Sequence, residues 1–73
     1  LLKNLGMQIK LNNQIKILAE QSTVQQLLDD VMFENQKGIA VAVNRNVIQK
    51  NNWKNHFLNQ NDEVLIIKAT QGG

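Results

Sequence analysis

Few residues in this 73-residue chain are of a type that does covalent chemistry. There is no cysteine, hence no thiolate nucleophile, no disulfide and no cysteine-ligated metal, and His56 is the lone histidine. The six carboxylates are Glu20, Asp29, Asp30, Glu34, Asp62 and Glu63. They fall on a helix surface or in turns, with no spacing that aims two of them at one pocket for acid–base work, and read as solvated charges. His56 stands near Trp53 and Phe57 with no second imidazole and no orienting group, so it reads as a surface or core-edge residue. No Walker loop or GxGxxG pattern occurs. What remains is the C-terminus, Ala69-Thr70-Gln71-Gly72-Gly73, where two of only four glycines close the chain. Without Cβ atoms such a tail can enter a slot too narrow for other residues. Four extended residues reach about 13 Å, so the α-carboxylate rides on a thin, free lead. A carboxylate can attack the α-phosphate of ATP to give an acyl adenylate, whose AMP leaving group opens the carbonyl to a sulfur or other nucleophile. The chain has no Mg²⁺ or phosphate motif of its own, so ATP and Mg²⁺ would have to be used by a partner enzyme, with no cofactor bound here.

Composition removes other classes. Eight Lys and Arg against six Asp and Glu leave a net charge of +2, no two basic residues are adjacent, and aromatics are 4%. A nucleic-acid binder would show a clustered basic stripe and stacking platforms, so no nucleic-acid partner is expected. The longest apolar runs, Ile39–Val43 and 64–67, fall far short of the ~20 residues of a membrane helix, and the N-terminus has no signal-peptide core. A soluble, cytoplasmic protein is expected. Asn and Gln make up 20 residues, but they interleave with periodic apolar positions and do not form a low-complexity tract. A chain this short buries only about 60% of its unfolded surface, which implies one core and no room for an enclosed cleft.

The elements that must position the terminus follow from periodicity. Residues 1–6 have no clear period and read as an N-terminal extension or expression remnant, with the domain spanning 7–73. Met7, Ile9 and Leu11 alternate with polar residues, as do Ile15 and Ile17, which predicts a hairpin. A two-residue Asn12-Asn13 loop would put Lys16 on the same face as Ile9. A three-residue loop through Gln14 pairs Leu11 with Ile15 and Ile9 with Ile17, keeps one face dry, and is the expected register. Thr23 with Gln26 matches a capping box, and Val24, Leu27, Leu28, Val31 and Met32 form one helical stripe. Gly38 marks the helix exit, Ile39–Val43 a third strand, Asn44-Arg45-Asn46 a turn and Val47-Ile48 a short return strand. Over 50–57, the i, i+4 spacing of Trp53 and Phe57 predicts one helical turn that caps the core with both rings. Residues 59–62 form a turn before a last strand over 64–69, and 70–73 is a free tail.

This order predicts an α+β fold of the β-grasp type, a mixed sheet with one main helix on one face and the two all-apolar runs as central strands. One helix covers one face only, so half of 64–67 must point away from it. Val64 and Ile66 are expected to face the helix, leaving Leu65 and Ile67 outside near Ala40 and Ala42 as a partner-binding patch, with Lys68, Thr70 and Gln71 continuing it toward the tail.

Length, layout and terminal Gly72-Gly73 together resemble the ubiquitin-like sulfur carriers, and among them the ThiS family, over residues 7–73. The supporting segments are Met7-Gln8-Ile9-Lys10-Leu11-Asn12, Thr23-Val24-Gln25-Gln26-Leu27-Leu28, Val41-Ala42-Val43-Asn44, Trp53, and Asn61-Asp62-Glu63-Val64. Where the family usually has glycine in the first hairpin and before the last strand, this chain has Asn13 and Asn61, and Asn tolerates such backbone angles best among non-glycine residues. The resemblance implies a carrier and not a catalyst. A ThiF-type adenylating enzyme would dock on the bare sheet face and adenylate Gly73, with Gly72 as the slot-fitting spacer. A persulfide donor would convert the adenylate to a thiocarboxylate, and a ThiG-type thiazole synthase would accept the sulfur. The chain alone would be a monomer. The small subunit of molybdopterin synthase, of the MoaD type, shares fold, tail and chemistry. A modifier conjugated through Gly73 to lysine amines, and a plain interaction or nucleic-acid domain with accidental terminal glycines, are the other readings open at this point.

Overall fold

A computed structural model describes residues 6–32 and 36–68, and over these the strands form one five-stranded sheet of order β2-β1-β5-β3-β4. β1 (Gly6–Leu11) and β2 (Gln14–Ala19) form the first hairpin, and α1 (Val24–Val31) crosses one face. β3 (Ile39–Val43) and β4 (Asn46–Ile48) form the second hairpin, a 3₁₀ turn covers Lys50–Asn52, and β5 (Glu63–Lys68) closes the order. β5 lies at the centre, parallel to β1 and antiparallel to β3, so the two apolar runs are interior strands as expected. Gly6 already belongs to β1, one residue ahead of the expected start. A Cβ there would stand 2.6 Å from Ile17 Cγ2, so glycine makes room for that side chain.

The first hairpin does not take the three-residue loop. Leu11 pairs with Gln14, Ile9 with Lys16, and Lys10 with Ile15, around Asn12 and Asn13 at φ 48° and 69°. Two-residue loops with left-handed φ at both positions match the twist of the flanking strands, and this preference outweighs a uniformly apolar β2. Lys16 therefore faces the helix side. β2 is an edge strand, so Lys16 reaches the rim and pairs with Asp30 of α1 at 3.1 Å, its stem half-covered. An inward-pointing charge on an edge strand also opposes edge-to-edge association. Ile15 and Ile17 point to the outer face instead, 63% and 60% exposed.

The N-terminus of α1 is fully accounted for. Thr23 and Gln26 form the expected capping box. The Gln26 N–H donates to Thr23 Oγ1 and the Thr23 N–H to Gln26 Oε1, while the Val24 and Gln25 N–H groups donate to the carbonyls of His56 and Trp53. All four donors that a helix start leaves open thus have partners, two of them on the 53–58 segment. The core consists of Met7, Ile9, Leu18, Val24, Leu27, Leu28, Val41, Val43, Trp53, Leu58 and Val64.

Several expectations need correction. The helix ends at Val31, which is partly exposed, and Gly38, at φ 71°, sits in the turn before β3 and not at the helix exit. Trp53 is buried and donates its indole N–H to the Ile48 carbonyl at 2.9 Å, but Phe57 is exposed, pairing through its backbone with Thr23. Only Lys50–Asn52 is helical, so the i, i+4 relation never forms, and Leu58 fills the core beside Trp53. Asp62 is not a solvated charge. It is 8% exposed, its Oδ2 accepting from the Asn59 N–H at 2.8 Å and its Oδ1 from Asn44 Nδ2 at 2.9 Å.

Candidate functional site

The strand that leads to the C-terminus alternates in burial as a one-sided sheet requires. Val64 is buried and Ile66 half-buried against the core, whereas Leu65 and Ile67 are 45% and 51% exposed. Across the antiparallel pairing, Leu65 stands opposite Ala42 and Ile67 opposite Ala40, and beyond Ala42 comes exposed Val47 of β4. Directly opposed residues share a face, so the two alanines leave the branched side chains of β5 standing above them. The structure thus brings Leu65, Ile67, Ala40 and Ala42 together on the face opposite α1. Lys68 ends β5 opposite Ile39, which packs against the core, so the expectation that it shares the face of Leu65 and Ile67 is corrected: it falls on the α1 side, exposed at the strand end. Thr70, Gln71, Gly72 and Gly73 lie outside the described residues.

Two parts of this face were not read from the sequence. Ile15 and Ile17 form a second apolar group on β2, opposite Lys10 and Gln8 of β1, and are offset along the strands from Leu65 and Ile67, since Lys10 stands beside Glu63. The signal was available in the Asn12-Asn13 pair, whose two-residue loop sends both isoleucines outward. Between the two hairpin turns runs a shallow groove of about 270 Å³, with Ala42 and Leu65 along it and Lys10, Arg45 and Glu63 at its edges. It is too small to enclose a drug-sized ligand and is open enough to take a side chain of a partner.

β5 is held by two asparagine side chains. From the β3 side, Asn44 Oδ1 accepts the Glu63 N–H at 2.9 Å, its Nδ2 donates to Asp62, and its own N–H donates to the Glu63 carbonyl at 2.8 Å. From the β1 side, Asn12 Oδ1 accepts the Ile66 N–H at 2.8 Å, and Asn12 Nδ2 donates to the Ile66 carbonyl at 3.3 Å.

Elsewhere, Asp29 Oδ1 accepts from Gln36 Nε2 at 3.0 Å and Gln25 Nε2 at 2.9 Å. These hydrogen bonds, that from Gln36 foremost, hold its carboxyl below the usual aspartate value, with the Lys54 charge a smaller contribution. The cluster ties residue 36 back to α1 and is structural. No group of three or more His, Cys, Asp or Glu among the described residues could hold a metal ion, and none of the described helices is long and apolar enough to cross a membrane.

Sheet order, the parallel β1–β5 pair and the crossing of α1 over one face define a ubiquitin-like β-grasp domain. The crystal structure of the thiamine biosynthesis protein (ThiS) from Geobacter metallireducens has this fold, with a TM-score of 0.80 at 20% identity over 92% of this chain and all of that one. The model of the ThiS family matches residues 8–73, and the sulfur carrier protein ThiS of Escherichia coli (strain K12) is 31% identical over 67 residues, 92% of this chain and 100% of that protein. The chain belongs to the ThiS family.

Proposed function

We propose that this chain is a sulfur carrier of thiamine biosynthesis, loaded at the Gly73 carboxylate and delivering sulfur for the thiazole moiety. The observation that carries the reading is the position of the bare face: Leu65 and Ile67 project from the strand whose sequence continues into Gly72-Gly73, so an enzyme that grips this face receives the terminus beside it. Family membership supplies the chemistry.

In the first step a carboxylate oxygen of Gly73 attacks the α-phosphorus of ATP, and pyrophosphate leaves. ATP and Mg²⁺ are bound by a ThiF-type activating enzyme. A persulfide sulfur on a donor protein then displaces AMP to form an acyl disulfide, and a thiol cleaves its S–S bond, leaving a thiocarboxylate on Gly73 and a disulfide on the donor side. A ThiG-type thiazole synthase takes the sulfur. Gly72 serves as the spacer without a side chain, Ala40, Ala42, Leu65 and Ile67 form the contact surface, and Lys68 at the strand end, Thr70 and Gln71 carry the chain from it toward the tail. In this cycle the chain is a cosubstrate, acting as a monomer in the cytoplasm.

Incubation with the cognate activating enzyme, ATP and a persulfide donor should add the mass of one oxygen-to-sulfur exchange, located at Gly73 by fragmentation. Deletion of Gly73 should abolish it. An unchanged intact mass with an enzyme active on its own carrier would overturn the proposal, and an isopeptide bond from Gly73 to a lysine would redirect it to protein modification.

A further inference from the structure

The parallel pairing of β1 with β5 ends at Leu11 and Val64, because β1 turns into its hairpin at Asn12. On the other edge, β5 remains paired with β3 as far as Lys68. On the β1 side the main chain therefore stops providing a neighbour at Ile66, with two residues of strand still to run. The Asn12 side chain takes the neighbour's place. Its backbone N–H makes the last ordinary bond, to the Val64 carbonyl at 2.9 Å, and its carboxamide then accepts from the Ile66 N–H and donates to the Ile66 carbonyl. A carboxamide carries the same donor and acceptor as a peptide unit, so the ladder is continued by one residue with a side chain in place of backbone. Asparagine is also among the few residues that accept the left-handed φ of 48° at this turn. Glycine would accept the angle without the bonds, and aspartate would keep the acceptor without the donor.

We infer that Asn12 is a positioning residue for the reaction at the C-terminus. By holding Ile66 extended, it keeps Leu65 and Ile67 turned toward the partner and sets the point from which the last seven residues lead to Gly73. This rests on the sulfur-carrier reading. Without the carboxamide, β5 beyond Val64 is held on one edge, the docking-competent arrangement is a smaller fraction of the population, and apparent affinity falls by that fraction. Once docked, the partner restores the strand, so the rate of the bound complex is kept.

The test is pyrophosphate release by the activating enzyme with the carrier as varied substrate. Asn12→Gly should raise the carrier's KM roughly five- to tenfold with kcat little changed, and Asn12→Asp should raise it less, since it retains the acceptor for the Ile66 N–H. Asn61→Gly makes the same change at another left-handed position, φ 70°, where the side chain forms no hydrogen bond, and should match the unsubstituted chain. Amide exchange at Ile66 should accelerate in Asn12→Gly while the thermal transition stays cooperative. An unchanged KM in Asn12→Gly, an equal rise in Asn61→Gly, or a fall in kcat at constant KM overturns the role of Asn12. Failure of the unsubstituted chain to release pyrophosphate overturns the carrier reading, and this inference with it.

Discussion

Asn12 and Asn44 occupy the same position in two hairpin turns, at φ 48° and 51°, and grip β5 from opposite edges through their side-chain amides. Each is followed by a second left-handed residue, Asn13 at 69° and Arg45 at 74°. The central strand is thereby pinned at its beginning by Asn44 and near its end by Asn12, although each hairpin's own pairing accounts for only part of β5.

The grip at the beginning depends on Asp62. Its buried carboxylate accepts the Asn59 N–H and the Asn44 amide, and Asp62→Ala leaves both donors without it. The expected cost is about 1–3 kcal/mol, read as a lower urea midpoint at constant slope. For a domain of this size each kcal/mol lowers Tm by roughly 4–8 °C. A loss indistinguishable from zero would show that water replaces these bonds without penalty.

On the outer face, Leu65→Glu and Ile67→Glu should each cost under about 1 kcal/mol of stability, as exposed strand positions do. On the proposed carrier cycle, both should weaken binding of the activating enzyme at least tenfold, roughly the loss of one central contact. Ile66→Glu on the same strand packs toward the core and should unfold the domain instead. Ile17→Glu measures the reach of the docking surface. Because β1 intervenes and Ile17 is offset from Leu65 along the strands, binding should weaken by less than about threefold, as at a rim position. Isothermal titration separates these outcomes, and wild-type affinity for Leu65→Glu would move the docking site elsewhere.

Acid stability should carry a signature of Asp29. Its folded pKa lies below the ordinary value of 3.8, so its contribution is present above that value and lost as pH falls through the folded one. In Gln36→Ala the carboxyl titration, followed by carbon NMR, should move up toward 3.8, with a smaller upward move in Gln25→Ala. An unmoved Asp29 titration in both variants would show that the depression has another source.

The β-grasp order, the capping box at Thr23 and the alternation of the last strand were legible because each is a local pattern: spacing, a cap pair, a period of two. Resemblance to the ThiS family marked Asn13 and Asn61 as standing where glycine is usual, and their φ values of 69° and 70° are the left-handed angles such positions demand. The glycine-ended tail itself suggested an activated carboxylate, and resemblance to the ThiS family added the partners that would load and take the sulfur. Phe57 misled because a spacing of four implies contact only if the segment is helical, and this one leaves the helix at Asn52.

What the tertiary structure alone decided concerns choices between local options of similar energy. Dryness of one face favoured one hairpin register and turn geometry another; turn geometry prevailed, and in the sheet Lys16 reaches the rim with Asp30 beside it. Asp62 read as a surface charge until the second hairpin brought Asn44, eighteen residues away, against it. Asn12 looked like a turn residue only, because its partner Ile66 is 54 residues distant in the chain. A sequence determines which groups can bond. Which of them meet is settled when the sheet closes around β5, since only then do the two asparagine amides share a strand.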